Sequence, residues 1–363
     1  MKIKAFITHK KAEKYSDCQD SFAVNSENKT IAVSDGISQT IFSGVWSEIL
    51  TNAFVEYPWG IDAAIPFRKQ CLSDCWYKRV EERKQALRDK GNEMNLYMLE
   101  RMLSDGKTAG ATFLGIQFNG QKWDGIVLGD TCLIEIKDGS VKEIHTSQKS
   151  ETFDNMPDFY DSDEKKDGRG AEKRISGELS PNETLFLVSD PFSDFFSEHK
   201  DEAPKFVKEL LNVSSHEEYE SLVERWRDEH HMHNDDSTVV IVEYDGTDDF
   251  DMVYKDDIKE LRRAESQNAE SNTTGVDVKS GPSAEAINQK DVNGSLTETF
   301  ACREEVPAQK VAEEVLARLN PKKSLKTILK RGNPIDEFKR KILAVLSKYV
   351  ICKKQEDGTT KHS

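Results

Sequence analysis

The sequence predicts an α+β fold, helices packed on an antiparallel β-sandwich with a small C-terminal helical module, and three observations carry that expectation. Short strand-prone runs recur: "SFAV" (21–24), "TIAVSDG" (30–36), "ATFLGIQF" (111–118), "WDGIVLGD" (123–130), "CLIEI" (132–136), "ETLFLVSD" (183–190) and "STVVIVEY" (237–244). Their bounding Asn, Asp, Gly and Lys are the chemistry of turns. Most follow one another too closely for a crossover helix, so neighbouring strands should run antiparallel. Stretches of helical period interrupt the strands, which places helices on a sheet.

The helical elements follow in order. "SGVWSEILTNAFVEY" (43–57) has Val45, Trp46, Ile49, Leu50, Ala53 and Phe54 at the helical spacing. Residues 64–103 read as one long or two shorter amphipathic helices, and 203–231 as a third helical stretch between the last two strands. From about Gly246 to Glu305 the chain turns to Asp, Glu, Ser, Asn and Gln, with few large apolar side chains to offset the entropy of ordering; this predicts a disordered linker. Ile335, Phe338, Ile342, Val345, Leu346 and Tyr349 then regain one helical face. The expected organisation is a body over 1–245, a linker over 246–305, a basic helical module over 306–352 and a tail over 353–363.

The net charge of −15 is unevenly spread. Val306–Ser363 holds 14 Lys/Arg against 6 Asp/Glu, a balance of +8 that leaves −23 on the rest. A body this acidic argues against nucleic-acid binding over its main surface, because neutralising phosphates needs Lys and Arg. The start, "MKIKAFITHKKAEKYSD", has too short an apolar core for a signal peptide, and no stretch approaches the roughly 18 apolar residues of a transmembrane helix. Cys18, Cys71, Cys75, Cys132, Cys302 and Cys352 are too scattered for a disulfide framework, so a reduced, cytoplasmic protein is expected.

Five strand ends carry an acid. Asp20 precedes "SFAV" and Asp235 precedes "DSTVV", both at strand beginnings, whereas Asp35, Asp130 and Asp190 close strand runs. In an antiparallel sheet the start of one strand and the end of its neighbour share an edge, so all five could gather on one rim. Two like charges about 4 Å apart repel by roughly 4 kcal/mol at an effective dielectric near 20. Either the acids hold protons or cations occupy the gap. Oxygen-only donors select hard ions such as Mg²⁺ or Mn²⁺, and two ions about 3.5–4 Å apart can bind a phosphoryl group and activate water for in-line attack. Gly36, beside Asp35, lets the backbone approach an ion and offer its carbonyl.

The ordered set "CQDSFAV", "IAVSDGIS", "GATFLGIQF", "GIVLGDTCLIEI", "LFLVSDPFSDFF" and "DDSTVVIVEY" resembles the metal-dependent serine/threonine phosphatases of the protein phosphatase 2C type, over residues 1–245. The resemblance implies hydrolysis of phosphoserine and phosphothreonine by metal-activated water at a binuclear Mn²⁺ or Mg²⁺ centre, with room for a third ion. It implies Asp35 as the carboxylate bridging two ions, Gly36 as the carbonyl ligand, and Asp190 and Asp235 as further ligands. Asp20 would hold metal-bound water, Asp130 would serve the third ion, and Gln19 and Asp236 would stand behind the ligands. Asp20, Asp35 and Asp235 are then the catalytic residues.

The chain also departs from that pattern. Gln19 replaces a glutamate, Ile37 stands where many eukaryotic members have His, and Pro191 follows Asp190 where Gly is usual. Tyr15, beside Lys14, occupies the place of a phosphate-binding basic residue, so the substrate-binding residues are open. A catalytically weak or silent relative acting as a binding or regulatory module therefore stands as the alternative. The implied partners are a phosphoprotein substrate and an opposing serine/threonine kinase. The basic C-terminal helices read as a solvated bundle, as a binder of a partner or an acidic membrane surface, or as a segment folding back on the catalytic body. "HHMH" (230–233) reads as a helix end or loop rather than a zinc site, Cys71 and Cys75 as a buried helix face, and 158–170 as a mobile loop.

Overall fold

The computed structural model of the chain describes residues 1–56, 58, 65–147 and 157–272. Backbone proximity divides the chain into Met1–Thr297 and Glu298–Ser363, and every described residue belongs to the first unit. The expected helical module over 306–352 lies outside the described residues.

The chain opens with β1 (Lys2–Thr8), β2 (Ser21–Asn25) and β3 (Thr30–Ser34), then α1 (Ser43–Glu56), α2 (Ile65–Asp89) and α3 (Glu93–Ser104). Next come β4 (Gly110–Ala111), β5 (Phe113–Asn119), β6 (Lys122–Leu128), β7 (Cys132–Lys137), β8 (Ser140–His145), β9 (Tyr160–Asp161), β10 (Lys173–Glu178) and β11 (Glu183–Val188). The described part closes with α4 (Asp190–Glu198), α5 (Ala203–Leu211), α6 (His216–His230), β12 (Ser237–Glu243), β13 (Asp251–Lys255) and α7 (Ile258–Asn272). One sheet has the order β13-β1-β12-β11-β7-β8, a second β10-β6-β5-β3-β2, and β4 pairs with β9. All pairings are antiparallel except β1 with β13, and the short connections account for the hairpins β2–β3, β5–β6 and β7–β8.

Both large sheets are covered on both faces, which is why strands such as β11 and β12 are apolar without alternation. Leu185, Leu187, Val240 and Val242 turn inward and meet Ile31, Val33, Leu114 and Ile116 of the second sheet. Their neighbours Phe186, Val188, Val239 and Ile241 turn outward under α4, α5 and α6. On the opposite outer face Ala32, Phe113 and Ile126 lie under Trp46, Leu50 and Phe54 of α1 and Trp76 of α2. The α4–α6 layer is held by rings packed around Trp226: Phe195 stacks on it at 4.9 Å and Phe206 meets it edge-on at 5.3 Å. Each fully buried ring of this kind contributes roughly 1.5–3 kcal/mol by leaving water.

Several expectations are refined. The 64–103 stretch is two helices, broken where Gly91 takes φ +63° and Asn92 caps α3 by accepting from the Asn95 amide at 3.3 Å. The 203–231 stretch also divides, because Ser215 accepts from Glu218 N–H at 3.3 Å while the Glu218 carboxylate accepts from Ser214 N–H at 2.9 Å, a start signal inside the run. Cys71 and Cys75 do not share a buried face: Cys71 is exposed and Cys75 half-buried, while Leu72, Trp76 and Val80 turn inward. The 158–170 stretch is tied to the body, with Tyr160 accepting from Trp46 Nε1 at 2.9 Å and Asp161 from Thr108 Oγ1 at 3.0 Å.

The largest correction concerns residues 251–272, expected as disordered linker. They form β13, whose Met252 packs against the sandwich core, and α7. Two groups of α7 hold the N-terminal loop: Glu265 accepts from Tyr15 N–H at 2.8 Å and Arg262 Nε donates to the Tyr15 carbonyl at 3.0 Å. No helix among the described residues is long and apolar enough to cross a membrane.

Candidate metal centre

Strand register brings the acids together. Ser21 opposes Ser34 across β2 and β3, so Asp20, one residue before the former, stands beside Asp35, one residue after the latter. Val188 opposes both Cys132 of β7 and Val239 of β12. Asp190, two residues beyond Val188, therefore lies near Asp130 on one side and Asp235 and Asp236 on the other. The five positions expected at strand ends are all at one rim.

Backbone contacts fix each position. The Asp35 amide donates to Thr112 Oγ1 at 3.1 Å and its carbonyl accepts from Thr112 N–H at 2.8 Å. At Gly36 a Cβ would stand 2.7 Å from the Ser43 carbonyl carbon, so only glycine lets α1 begin against this turn. Ser189 locks the ends of β11 and β12 together, donating from N–H to the Thr238 carbonyl at 3.2 Å and accepting on Oγ from Thr238 N–H at 2.9 Å. Asp190 is then the first residue of α4, and Pro191 sits in that first turn, where a helix leaves its N–H groups without internal partners. The Pro191 departure thus fits the local geometry.

The adjacent acids of "DDST" divide their work. Asp236 is 2 % exposed and accepts from Gln19 N–H at 2.7 Å and Lys10 N–H at 3.0 Å, which ties two N-terminal segments to β12. Asp235 faces the rim, where Lys10 Nζ reaches it at 2.8 Å. Its carbonyl accepts from Arg227 Nη2 at 2.6 Å. Gln19 lies behind Asp20; its side-chain oxygen accepts from Ser38 Oγ at 2.9 Å and its carbonyl from Ser47 Oγ at 2.6 Å.

Burial first, and neighbouring acids second, shift the carboxyls upward. Burial lifts Asp20 to about 6, tempered by the nearby hydroxyls of Thr238 and Ser189. It lifts Asp130 and Asp236 each to about 7, Asp194 and Asp235 adding to the first and Asp20 to the second. Asp35 and Asp190, half-buried at the rim, rise well above the carboxylate range, through desolvation first and then the charges of Asp20, Asp130 and Asp235, which act on both. Neither oxygen of Asp20, nor Oδ1 of Asp130, accepts a hydrogen bond of ordinary geometry, although both residues are more than nine-tenths buried. Uncompensated buried carboxylates are costly, and a divalent cation among oxygen donors compensates them. The residues present therefore fit a hard cation.

Three further groups reach this rim that the sequence reading had not assigned. Asp194 follows Asp190 by one turn of α4, and burial, then Glu198, raises its pKa while His233 opposes the rise. The "VSDPFSD" spacing carried that signal, since residues four apart share a helix face. Lys10 brings a cation to Asp235 and to Ser38 Oγ at 3.4 Å. Burial lowers its pKa, and Asp235 and Asp236 more than offset this, leaving it raised. A ring nitrogen of His233 and one carboxylate oxygen each of Asp190 and Asp235 lie within 4.8 Å of one another. Tyr15, in the place of the expected basic residue, instead turns its hydroxyl to His216 Nε2 at 2.8 Å and Glu220 at 3.1 Å. In a second group, Glu135, Glu143 and His145, Glu135 is already paired with Lys142 at 2.6 Å.

A two-sheet sandwich flanked by helices, with carboxylates gathered at one rim, defines the phosphatase-like α+β class anticipated from the sequence. A family model described as protein phosphatase 2C matches residues 9–226, more than half of the chain, and the chain belongs to that family of metal-dependent protein phosphatases. Comparison with curated protein sequences gives no match. Among solved structures the chain is similar to a serine/threonine phosphatase of S. agalactiae, at 13 % identity and a TM-score of 0.42, over 67 % of this chain and 99 % of that one. It is also similar to PppA of Pseudomonas aeruginosa (12 % identity, TM-score 0.40, 66 % and 96 % coverage). A third is the Mycobacterium tuberculosis serine/threonine phosphatase PstP (16 % identity, TM-score 0.39, 67 % and 98 % coverage).

Proposed function

We propose that this chain hydrolyses phosphoserine and phosphothreonine in proteins at a binuclear Mn²⁺ or Mg²⁺ centre on the sandwich rim. The observation that carries this reading is the set of buried carboxyl oxygens without a hydrogen bond of ordinary geometry, on Asp20 and Asp130, in acids whose pKa values burial first, and neighbouring charge after it, raises. Asp35, the Gly36 carbonyl, Asp190 and Asp235 would hold two ions, and Asp130 and Asp194 would hold a third, weaker one. Such ions supply Lewis acidity toward a phosphoryl group and a water ionised near neutral pH.

The protein's own groups do the rest. Asp20, 3 % exposed and next to Asp35, orients the attacking water and takes up its proton. Asp236 holds the Gln19 and Lys10 amides, which keeps Asp20 and Lys10 at fixed distances from β12. Lys10 is the cation that receives the substrate phosphate, in place of the basic residue missing at Tyr15. The substrate partner is a phosphoprotein, opposed by a serine/threonine kinase. In this reading the catalytic unit extends through α7, because β13 completes a sheet edge and α7 holds the Tyr15 loop. The basic segment beyond position 306 is a separate docking or regulatory module.

The purified full chain is expected to hydrolyse a phosphothreonine peptide with Mn²⁺ or Mg²⁺, and to stop with excess EDTA. Binding of Mn²⁺ with no turnover would instead identify a phosphatase-shaped binding module. Lys10→Ala should raise KM about tenfold with a smaller change in kcat, since a ground-state phosphate contact at a charged group is worth roughly 1.5 kcal/mol. An unchanged KM would remove Lys10 from substrate binding.

A further inference from the structure

We propose that His233 is a nitrogen ligand in this centre, so that one ion is held by a mixed set of Asp190, Asp235 and an imidazole. The inference rests on the metal reading above and adds to it a donor that an oxygen-only site lacks.

Local structure aims this histidine. The last turn of α6 ends with His231 in the left-handed region at φ 57°, and Met232, 4 % exposed, turns back into the core beside Trp226. The next residue is thereby thrown toward the rim, and its carbonyl accepts from Asp235 N–H at 3.1 Å. The loop is short and pinned at both ends, by Met232 in the core and by Asp236 on Gln19 and Lys10. Of the three histidines in "HHMH", His230 packs its ring against Phe206 at 4.9 Å, and only His233 belongs to the donor group with Asp190 and Asp235.

The donor spacing suits a shared ion. Ligand atoms on a first-row divalent cation, each at about 2.1 Å, stand at most about 4.2 Å apart. The three donor atoms all lie within 4.8 Å of one another, close enough for side-chain rotation to bring them onto one ion. A second observation points to a cation at this rim: Asp20 and Asp130, more than nine-tenths buried, keep oxygens that accept no hydrogen bond of ordinary geometry, and their charges bear on Asp190. Carboxylates suit Mg²⁺ and Mn²⁺ alike, whereas an added imidazole is a better donor to a transition ion than to Mg²⁺. The chain should therefore prefer Mn²⁺ to Mg²⁺ more strongly than an oxygen-only site would.

Pulsed EPR on the full chain loaded with Mn²⁺ tests this directly. Coordinated ¹⁴N should modulate the Mn²⁺ echo in the wild type, persist in His231→Ala and vanish in His233→Ala, with ¹⁵N-histidine labelling shifting the modulation. Mn²⁺ affinity should fall on the order of tenfold in His233→Ala, and Mg²⁺ affinity by less. Bound Mn²⁺ without nitrogen modulation in the wild type would overturn the histidine ligand and leave the carboxylate centre standing. Absence of any bound Mn²⁺ would overturn both. The wild-type spectrum decides the question even if a variant folds poorly.

Discussion

Asp35→Asn is expected to lower kcat/KM for a phosphothreonine peptide by about a thousandfold while making the metal-free protein more stable. The two effects share one cause. Asp35 lies among Asp20, Asp130, Asp190 and Asp235, and burial together with their charges drives its pKa far up. Asparagine keeps the shape and removes the charge. Asparagine retains one oxygen but loses the second and the negative charge that would hold two ions, and losing a group placed for developing charge typically costs 10²–10³ in rate. Relief of repulsion should raise the metal-free unfolding midpoint by about 2–4 °C per kcal/mol recovered. Sites built for function are commonly strained in this way. Retained activity in Asp35→Asn, or a lower midpoint without metal, would contradict the assignment.

The pH dependence of stability should reverse sign when Mn²⁺ is added. Asp20 moves from the ordinary range to about 6, and Asp130 and Asp236 to about 7. A carboxyl whose pKa is raised in the fold binds more protons folded than unfolded between those two values. Stability of the metal-free protein therefore falls as pH rises from about 4 to about 7. His216, whose pKa burial lowers and the Asp256 contact more than restores, acts in the same direction: its contribution is present below about 6.5 and lost as pH rises through its raised value. Glu183, held near 2 by the Ser180 amide and two lysines against the effect of its burial, acts oppositely but only below about 4.5, outside this window. Mn²⁺ requires ionised carboxylates, so its stabilisation grows with pH, reaching about 4 kcal/mol at a thousandfold excess over Kd. Melting curves should thus rank pH 5.5 above pH 7.5 without metal and the reverse with saturating Mn²⁺. His216 cannot produce that reversal, since it holds none of the proposed ligands. A metal-free protein that grows more stable toward pH 7.5 would show that the acids do not crowd one another.

The rim was legible because each acid sits at a strand end: the short β2–β3 connection brings Asp20 to Asp35, and antiparallel pairing of β7, β11 and β12 brings Asp130, Asp190 and Asp235 to the same edge. The sandwich was legible for the same reason. What stayed hidden depends on distant pairing. β13 is a modest strand by composition, and its hydrogen bonds come from β1, nearly 250 residues earlier and parallel to it. α7 has a thin apolar face and earns its place through Glu265 and Arg262 on the Tyr15 loop. Asp194 was masked by Pro191, which looked like an obstacle and is the second residue of α4. Lys10 and His233 belong to no spacing pattern. Their positions follow from loops pinned at Asp236 and Met232, which only the folded chain reveals.

The central claim is that this carboxylate rim holds divalent cations. Anomalous diffraction at the manganese edge from crystals grown with Mn²⁺ tests it most directly. Two strong peaks are expected at Asp35, with Gly36, Asp190 and Asp235 as neighbours and His233 beside one of them. Full-occupancy manganese elsewhere on the protein, with none among these acids, would contradict it.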